Sequence, residues 1–437
     1  MRLVKLQDDY DASVHTPDIA VAAGPVGSGK PSSVPQGSLV NCVSPGGNST
    51  NPHSREPENT MKKSKQRLAI FLPSFAGGGA EKAMLTLAHG LAERGYAVDL
   101  AVARAEGPYK KAVDERVRVI DLNASRVLLS APKLMRYLRY TRPDALLSTL
   151  DYANVVALCA CRLARVPTRI VVLDQNTISI SSQHSPQWRE RIIPRIIKFA
   201  YRWADHIVGN SQGVTDDLIH ITGLPRTRIH VIYNPVVTPT LWEKREVRPS
   251  HPWFGLDQPP VVLAVGRLTP QKDFTTLIRA FARVRRNRPV RLMILGEGTD
   301  RQELEALVRL LKLEEDVSLP GFVENPYSYM AHADVFVLSS RWEGLPTVLI
   351  EALSCGTRVI ATDCPSGPRE ILAGGLYGSL VPMHNAAALA GAITAALSEG
   401  TPAPTAESWQ PYELNRVIDQ YTRLLFGCAE IVANTGD

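Results

Sequence analysis

The 437-residue sequence has no uninterrupted apolar run long enough to cross a bilayer. Its best candidate, residues 145–164, is broken by Asp151, Asn154 and Arg162, and reads as a strand end, a loop and a buried helix. Cysteine is scarce: Cys42, Cys159, Cys161, Cys355, Cys364 and Cys428 are all there is. No two of them have zinc-ligand spacing with a second Cys or His pair nearby, which excludes a zinc ribbon. A reduced, cytoplasmic compartment is the simple expectation, with Cys159 and Cys161 as core thiols. No secretory signal is visible, so the sequon Asn48-Ser49-Thr50 is expected to be fortuitous. Basic residues are not interleaved with an aromatic platform, so nucleic acid is not expected as a partner. No D-x-D is placed to hold a metal ion, and none is expected.

What is present is room for two or three domains, with 44% hydrophobic residues to fill their cores. Charge is uneven. Residues 61–245 hold 28 Lys/Arg against 15 Asp/Glu, while the rest of the C-terminal part is mildly acidic. A basic first half fits an anionic surface, either phospholipid headgroups or a diphosphate-bearing acceptor. Residues 1–60 are rich in Gly, Pro, Ser and Asn without sustained period, and are expected to be a disordered tail. A basic leader from Met61 then runs into an apolar strand. Met61 is therefore expected to be the true start, or the first sixty residues a dispensable tail. Gly24-Pro-Val-Gly-Ser-Gly-Lys30 mimics a phosphate-binding loop, but Pro31 stands where a metal-binding Ser or Thr is needed, so no nucleotide site is expected there.

From residue 68, strands and helices alternate. Strands are predicted over 68–72, 98–102, 117–121, 145–149, 170–173, 206–208 and 230–232, with a helix over 80–94 stopped by Gly95. Asn234-Pro235 and the proline-rich 238–260 stretch mark the connection to a second series, over 261–265, 291–295, 317–319, 335–338 and 358–361. This predicts an α/β chain with two doubly wound, Rossmann-like parallel sheets: residues 61–240, then 241–410, with 411–437 as a final helix and tail. Ligands of such sheets lie beyond the carboxyl ends of the strands.

The most informative stretch is Ser339-Ser340-Arg341-Trp342-Glu343-Gly344-Leu345-Pro346-Thr347-Val348-Leu349-Ile350-Glu351-Ala352. Pro346 suits the first helical position and Gly356 the position past the end. The free amides at such a helix start can face an anion. Glu343 sits before the helix mouth and Glu351 about a turn and a half inside. Two carboxylates flanking an anion site suggest a ligand with both phosphate and hydroxyl groups, as in a sugar nucleotide. Val265-Gly266-Arg267-Leu268-Thr269-Pro270-Gln271-Lys272-Asp273 also leaves a strand and enters a helix. Arg267 can fork onto phosphate and Lys272 adds a compact charge. Two fixed cations would stabilise a departing nucleoside diphosphate. Gly77-Gly78-Gly79-Ala80-Glu81-Lys82 follows the first strand; its missing Cβ atoms let backbone amides approach phosphate, although a plain strand-to-helix turn fits equally.

The stretch from Glu343 to Glu351 resembles the E-x7-E element of retaining GT-B glycosyltransferases of family 4. The resemblance runs from about residue 68 to 425, because several elements recur in the family's order. It implies transfer of a sugar from a nucleotide sugar (UDP-, GDP- or ADP-linked) to a glycan or lipid-diphosphate acceptor in cell-envelope synthesis. The implied setting is the cytoplasm, with peripheral contact at the inner face of the membrane. It implies no cofactor and no metal. Arg267 and Lys272 would stabilise the leaving diphosphate; Gly78, Gly79, Gly344, Leu345, Pro346 and Thr347 would cradle the donor. Glu351 would take the ribose hydroxyls and Glu343 the transferred sugar. Gly296-Glu297-Gly298 resembles the family's G-x-G turn, and backbone at Phe322 and Val323 would meet the nucleobase, though Phe322 also fits ordinary core. Many relatives carry a His near the sugar; none is visible here, and Asp151 would stand in its place. Asp151 and Asn154, with Asn176 in Asp174-Gln175-Asn176-Thr177, are the acceptor-side candidates, and Asn210-Ser211 looks like a turn toward the cleft. Each of these also fits a capping or turn role. The rival readings are a non-catalytic nucleotide-sugar-binding relative and a GT-B epimerase or phosphorylase. Residues 188–203, with Arg189, Arg191, Arg195, Lys198 and Arg202, read as a membrane-surface helix or, preferably, as a domain helix with its arginines outward; Pro194 weakens a continuous helix.

Overall fold

The computed structural model describes residues 65–76, 78–184, 192–398 and 403–427. The P-loop mimic, the Asn48 sequon, Met61, Gly77, Cys42, Cys428 and residues 188–191 lie outside them. The first lobe carries β1 (Arg67–Leu72), β2 (Ala97–Val102), β3 (Val117–Asp121), β4 (Ala145–Thr149), β5 (Arg169–Asp174), β6 (His206–Gly209) and β7 (Ile229–Val231). They form one sheet in the order β3-β2-β1-β4-β5-β6-β7, every pairing parallel. The second lobe carries β8 (Val261–Val265), β9 (Arg291–Leu295), β10 (Val317–Gly321), β11 (Val335–Leu338), β12 (Arg358–Thr362) and β13 (Ser379–Val381), in the order β10-β9-β8-β11-β12-β13, again parallel.

The strands are nearly continuous apolar runs because both sheet faces are covered. Along β1 the side chains alternate. Leu68, Ile70 and Leu72 pack with Met84, Leu87 and Leu91, whereas Ala69 and Phe71 pack with Leu134, Val156 and Tyr201 on the other face. In β8, Val262 and Ala264 face one core and Val261 and Leu263 the other.

The chain crosses between the lobes twice, at one place. Val236 and Val237 donate to the Tyr412 carbonyl at 3.0 and 3.1 Å, and Leu414 N–H donates back to Val237 at 3.0 Å. The last helix, Leu414–Phe426, then lies on the first lobe's helix Gly79–Glu93. Gly90 permits the close approach: a Cβ there would sit 2.3 Å from Ile418 Cδ1. Ile418, Tyr421 and Leu425 complete the first lobe's core. Among the described residues no helix is long and apolar enough to cross a membrane.

Cys159 and Cys161 are only partly buried, Cys161 packing against the first lobe's core; among the described residues Cys355 and Cys364 are the buried thiols. The described helix in the basic segment is Ile193–Ala200, with Pro194 in its first turn, where no N–H is needed.

Candidate functional site

Loops after β8, β9 and β11 build one wall of the gap between the lobes. After β8 the chain passes Gly266 and Arg267, then Asp273 caps the helix Phe274–Arg285 by accepting from Thr276 N–H. Asp273 takes φ +48, and its carboxylate also accepts from Thr276 Oγ1 at 2.9 Å and contacts His384 Nδ1 at 2.9 Å. That fixes the residue next to Lys272. The Gly296-Glu297-Gly298 turn braces the same loop. Cβ atoms at Gly296 and Gly298 would lie 2.0 Å from the Gly266 carbonyl and 2.2 Å from that of Leu268, so only glycine allows the two loops to stack. From β11, Arg341 N–H donates to the Gln271 carbonyl (2.8 Å) and Gln271 Nε2 to the Trp342 carbonyl (2.9 Å). Lys272 Nζ thereby meets Glu343 Oε1 at 2.6 Å, where Ser340 Oγ also donates at 2.6 Å. Glu343 is buried and Lys272 largely so, whereas Arg267 is exposed and its guanidinium makes no hydrogen bond with the described residues.

The helix after β11 is Thr347–Ser354. Pro346 is its cap, with φ −70 and ψ 90, rather than its first helical residue, because ψ there is extended. Glu351 is buried inside this helix, facing the first lobe. The opposite wall is the start of the helix Gly79–Glu93. Its Lys82 Nζ donates to Glu351 Oε1 (2.7 Å) and to Tyr327 OH (2.5 Å). Desolvation works to lower the Lys82 pKa, but the Glu351 carboxylate and the Tyr327 phenol hold it well above the ordinary lysine value. Gly79 faces Thr347, with a Cβ there 4.0 Å from Thr347 Oγ1. A cavity of about 40 Å³ lies between Gly79, Lys82, Asn234, Tyr327, Thr347 and Glu351. Glu81 folds back over Gly78, where a Cβ would meet Glu81 Oε2 at 2.3 Å. Burial raises the Glu81 pKa, while its own backbone N–H and nearby Arg267 act to lower it. The Glu81 carboxylate thus lies over the start of the first lobe's helix, near Arg267 of the second lobe.

The lobes also touch beside this point. A Cβ on Gly344 would sit 2.0 Å from the Gln175 carbonyl. Gln175 is held by Thr149 Oγ1 (3.1 Å) and by Asn234 Nδ2 (3.0 Å). Ser211 Oγ meets Ser366 Oγ at 2.9 Å, and Glu370 accepts from Gln212 N–H (2.9 and 3.0 Å) and from Tyr233 OH (2.8 Å). Asn210 and Ser211 therefore stand at the gap, Ser211 also capping the helix Gln212–Thr222.

The structure brings Gly78, Gly79, Arg267, Lys272, Glu343, Gly344, Pro346, Thr347 and Glu351 to this gap, whereas the Leu345 side chain is buried in the second lobe's core. Phe322 is 80% exposed, so it is not core; it and Val323 follow β10. Asp151 opens the helix Asp151–Ala164 directly after Leu150, whose φ of +75 leaves no loop between strand and helix. Asn176 is exposed beside Gln175. Asn154 is not an acceptor-facing residue here: it is fully buried, and its amide donates to the Leu173 carbonyl, Asp174 and Tyr201 OH at 3.0, 3.3 and 3.0 Å. That network holds Asp174, which also takes Tyr201 OH at 2.8 Å. Burial pushes the Asp174 carboxyl up to about 8, and Asp151 and Asp217 add to the rise. Lys82 as a partner of Glu351 and Tyr327, and Glu370 as a partner of Gln212 and Tyr233, were not foreseen. The one available signal was a lysine one turn into a glycine-opened helix. Among the described residues no three His, Cys, Asp or Glu side chains gather as a metal site.

Comparison with known proteins agrees with this layout. The "Glycosyltransferase Family 4" model matches residues 77–238 and the "Glycosyl transferases group 1" model residues 248–416, one to each lobe. A curated relative from Campylobacter jejuni, N-acetylgalactosamine-N,N'-diacetylbacillosaminyl-diphospho-undecaprenol 4-alpha-N-acetylgalactosaminyltransferase, is 31% identical over 332 residues, covering 73% of this chain and 87% of its own. The amylovoran biosynthesis glycosyltransferase AmsD of Erwinia amylovora is 29% identical over 70% of this chain and 83% of its own. Among solved structures, Anabaena Alr3699/HepE in complex with UDP superposes with a TM-score of 0.66 at 23% identity, over 82% of this chain and 99% of that one. Two parallel-sheet lobes, a family model on each, and a 31% identical relative matched over most of its length lead to one conclusion: the chain belongs to the group 1, family 4 glycosyltransferases of GT-B fold.

Proposed function

We propose that the enzyme moves a sugar, with retention of anomeric configuration, from a nucleotide sugar to a polyprenyl-diphosphate-linked glycan at the inner face of the cytoplasmic membrane. The observation that carries this reading is the gathering of Arg267, Lys272, Glu343 and Glu351 at one mouth between the lobes. Glu351 accepts from the donor's ribose hydroxyls once Lys82 releases it. Lys82, freed, lies beside the diphosphate. Glu343, fixed by Lys272 and Ser340, borders the transferred sugar.

In the step, the bond from the anomeric carbon to the β-phosphate oxygen breaks while the acceptor oxygen bonds to the same face. The acceptor proton passes to the departing phosphate oxygen. Arg267 and Lys272 stabilise the negative charge that grows there. These cations supply what a metal ion supplies elsewhere, so turnover is expected to survive a chelator. The acceptor class is supported by the Campylobacter jejuni relative, whose name specifies a diphospho-undecaprenol acceptor. The basic first lobe suits such an anionic, membrane-held substrate.

The test is a panel of UDP-, GDP- and ADP-sugars, with and without a polyprenyl-diphosphate glycan, followed by mass spectrometry and anomeric NMR coupling. An α-linked product from an α-donor supports the reading. An inverted product overturns retention, and tight nucleotide binding without product across the whole panel overturns catalysis.

A further inference from the structure

The helix Ile193–Ala200 and the turn Tyr201–Trp203 bury Ile197, Ala200 and Tyr201 against the first lobe. Their outer side is unusual. Ile192 (37% exposed), Ile196 (45%), Phe199 (64%) and Trp203 (42%) recur at spacings of four, three and four, and so share one helical stripe. Leu163, 62% exposed, follows Arg162, whose guanidinium stacks 5.0 Å above the Trp203 ring. Exposed Arg195, Lys198 and Arg202 flank the stripe, and Arg202 also lies 5.9 Å over Phe199. No acidic residue occurs from 192 to 204. A packed domain helix would not leave four large apolar groups in water, since scattered single exposures are normal but a continuous stripe is not. The helix leads into the start of β6. In a parallel sheet that start is the end away from the gap, so the helix's first residues lie toward the gap.

We propose that this stripe is a docking surface for an anionic lipid bilayer, with Ile192, Ile196, Phe199 and Trp203 entering the headgroup–acyl boundary and Arg195, Lys198 and Arg202 meeting phosphate headgroups. A large apolar stripe edged by cations is the composition of an interfacial helix. Long basic stems lie along the apolar surface while their charges stay at the phosphates. Charge also selects the occupant: a second copy of the same face would oppose its own Lys198 and Arg202 with like charge. The surface goes beyond the transferase reading and does not depend on it, because docking is measured without turnover.

The test uses the full chain with vesicles of phosphatidylcholine alone or with 30% phosphatidylglycerol. Sedimentation is expected to capture the protein on the anionic vesicles and not on the neutral ones, with binding reduced by salt. Ile196→Glu with Phe199→Glu is expected to weaken capture at least tenfold, as is Lys198→Glu with Arg202→Glu. Both pairs should keep the wild-type melting temperature and wild-type turnover on a water-soluble acceptor. The proposal is overturned if the wild-type protein ignores anionic vesicles at low salt, or if both variant pairs bind as well as it does. It is equally overturned if the apolar pair only abolishes a dimer seen by sedimentation velocity, leaving vesicle capture intact.

Discussion

Removing one or the other of the two gap cations should separate chemistry from folding. Lys272 is locked in a largely buried pair with Glu343 at 2.6 Å, while Arg267 is exposed and its guanidinium makes no hydrogen bond with the described residues. Lys272→Ala leaves the Glu343 carboxylate with Ser340 alone, and breaking a buried pair in this way costs about 3 kcal/mol or more. For a lobe of this size that lowers the melting temperature by roughly 6–12 °C. Arg267→Ala removes no contact that folding needs, so its melting curve should be unchanged. Both variants lose charge stabilisation of the departing diphosphate, and turnover per folded molecule should fall at least about tenfold, or ~1.4 kcal/mol. The assay is steady-state sugar transfer with the folded fraction measured in parallel by calorimetry. Wild-type turnover in Arg267→Ala, or a Lys272→Ala loss that vanishes after correction for the folded fraction, would refute the reasoning.

Glu351→Gln should weaken nucleoside diphosphate binding about tenfold in calorimetry, because a charge-assisted bond to ribose becomes a neutral one. Gly344→Ala places a methyl where the Gln175 carbonyl already lies, so the lobes cannot meet there; turnover should drop at least about tenfold while small-angle scattering reports a more open shape. Asp174 governs a pH response. Its folded-state pKa of about 8 lies above the unfolded value, so from about pH 4 to 8 the folded state binds the extra proton and stability falls as pH rises. Asp174→Asn, which still accepts from Tyr201, should remove up to one proton's slope, ~1.4 kcal/mol per pH unit, from stability measured by denaturant melts between pH 6 and 8. An unchanged slope would show that Asp174 is ionised in the fold.

The sequence was legible where local pattern decides structure. Apolar runs such as 261–265 and 335–338 are strands because both faces are covered, and the loops leaving them carry Arg267 and Glu343, as alternation implied. β13 was missed because it has only three residues and begins with an exposed Ser379, too little for a pattern. Pro346 was displaced by one position because φ alone suits both the cap and the first turn, and ψ decides between them. The Lys82–Glu351 bond joins residues 269 apart in the chain, and no local period encodes such a meeting. Asn154 misled because a polar residue after a strand reads alike whether it faces solvent or braces a buried Asp174.

The closing helix has a consequence for synthesis. Ile418, Tyr421 and Leu425 follow every strand of both lobes in the chain, yet they seal the earlier lobe, against Gly90 and its neighbours. A nascent chain that has not yet released residues 414–426 therefore holds an unfinished first lobe, however completely its strands have paired. Until the ribosome delivers that helix, the apolar groove is open to chaperones or to wrong partners, and loss of residues 414–426 would be felt in a lobe whose strands lie more than 180 residues earlier in the chain.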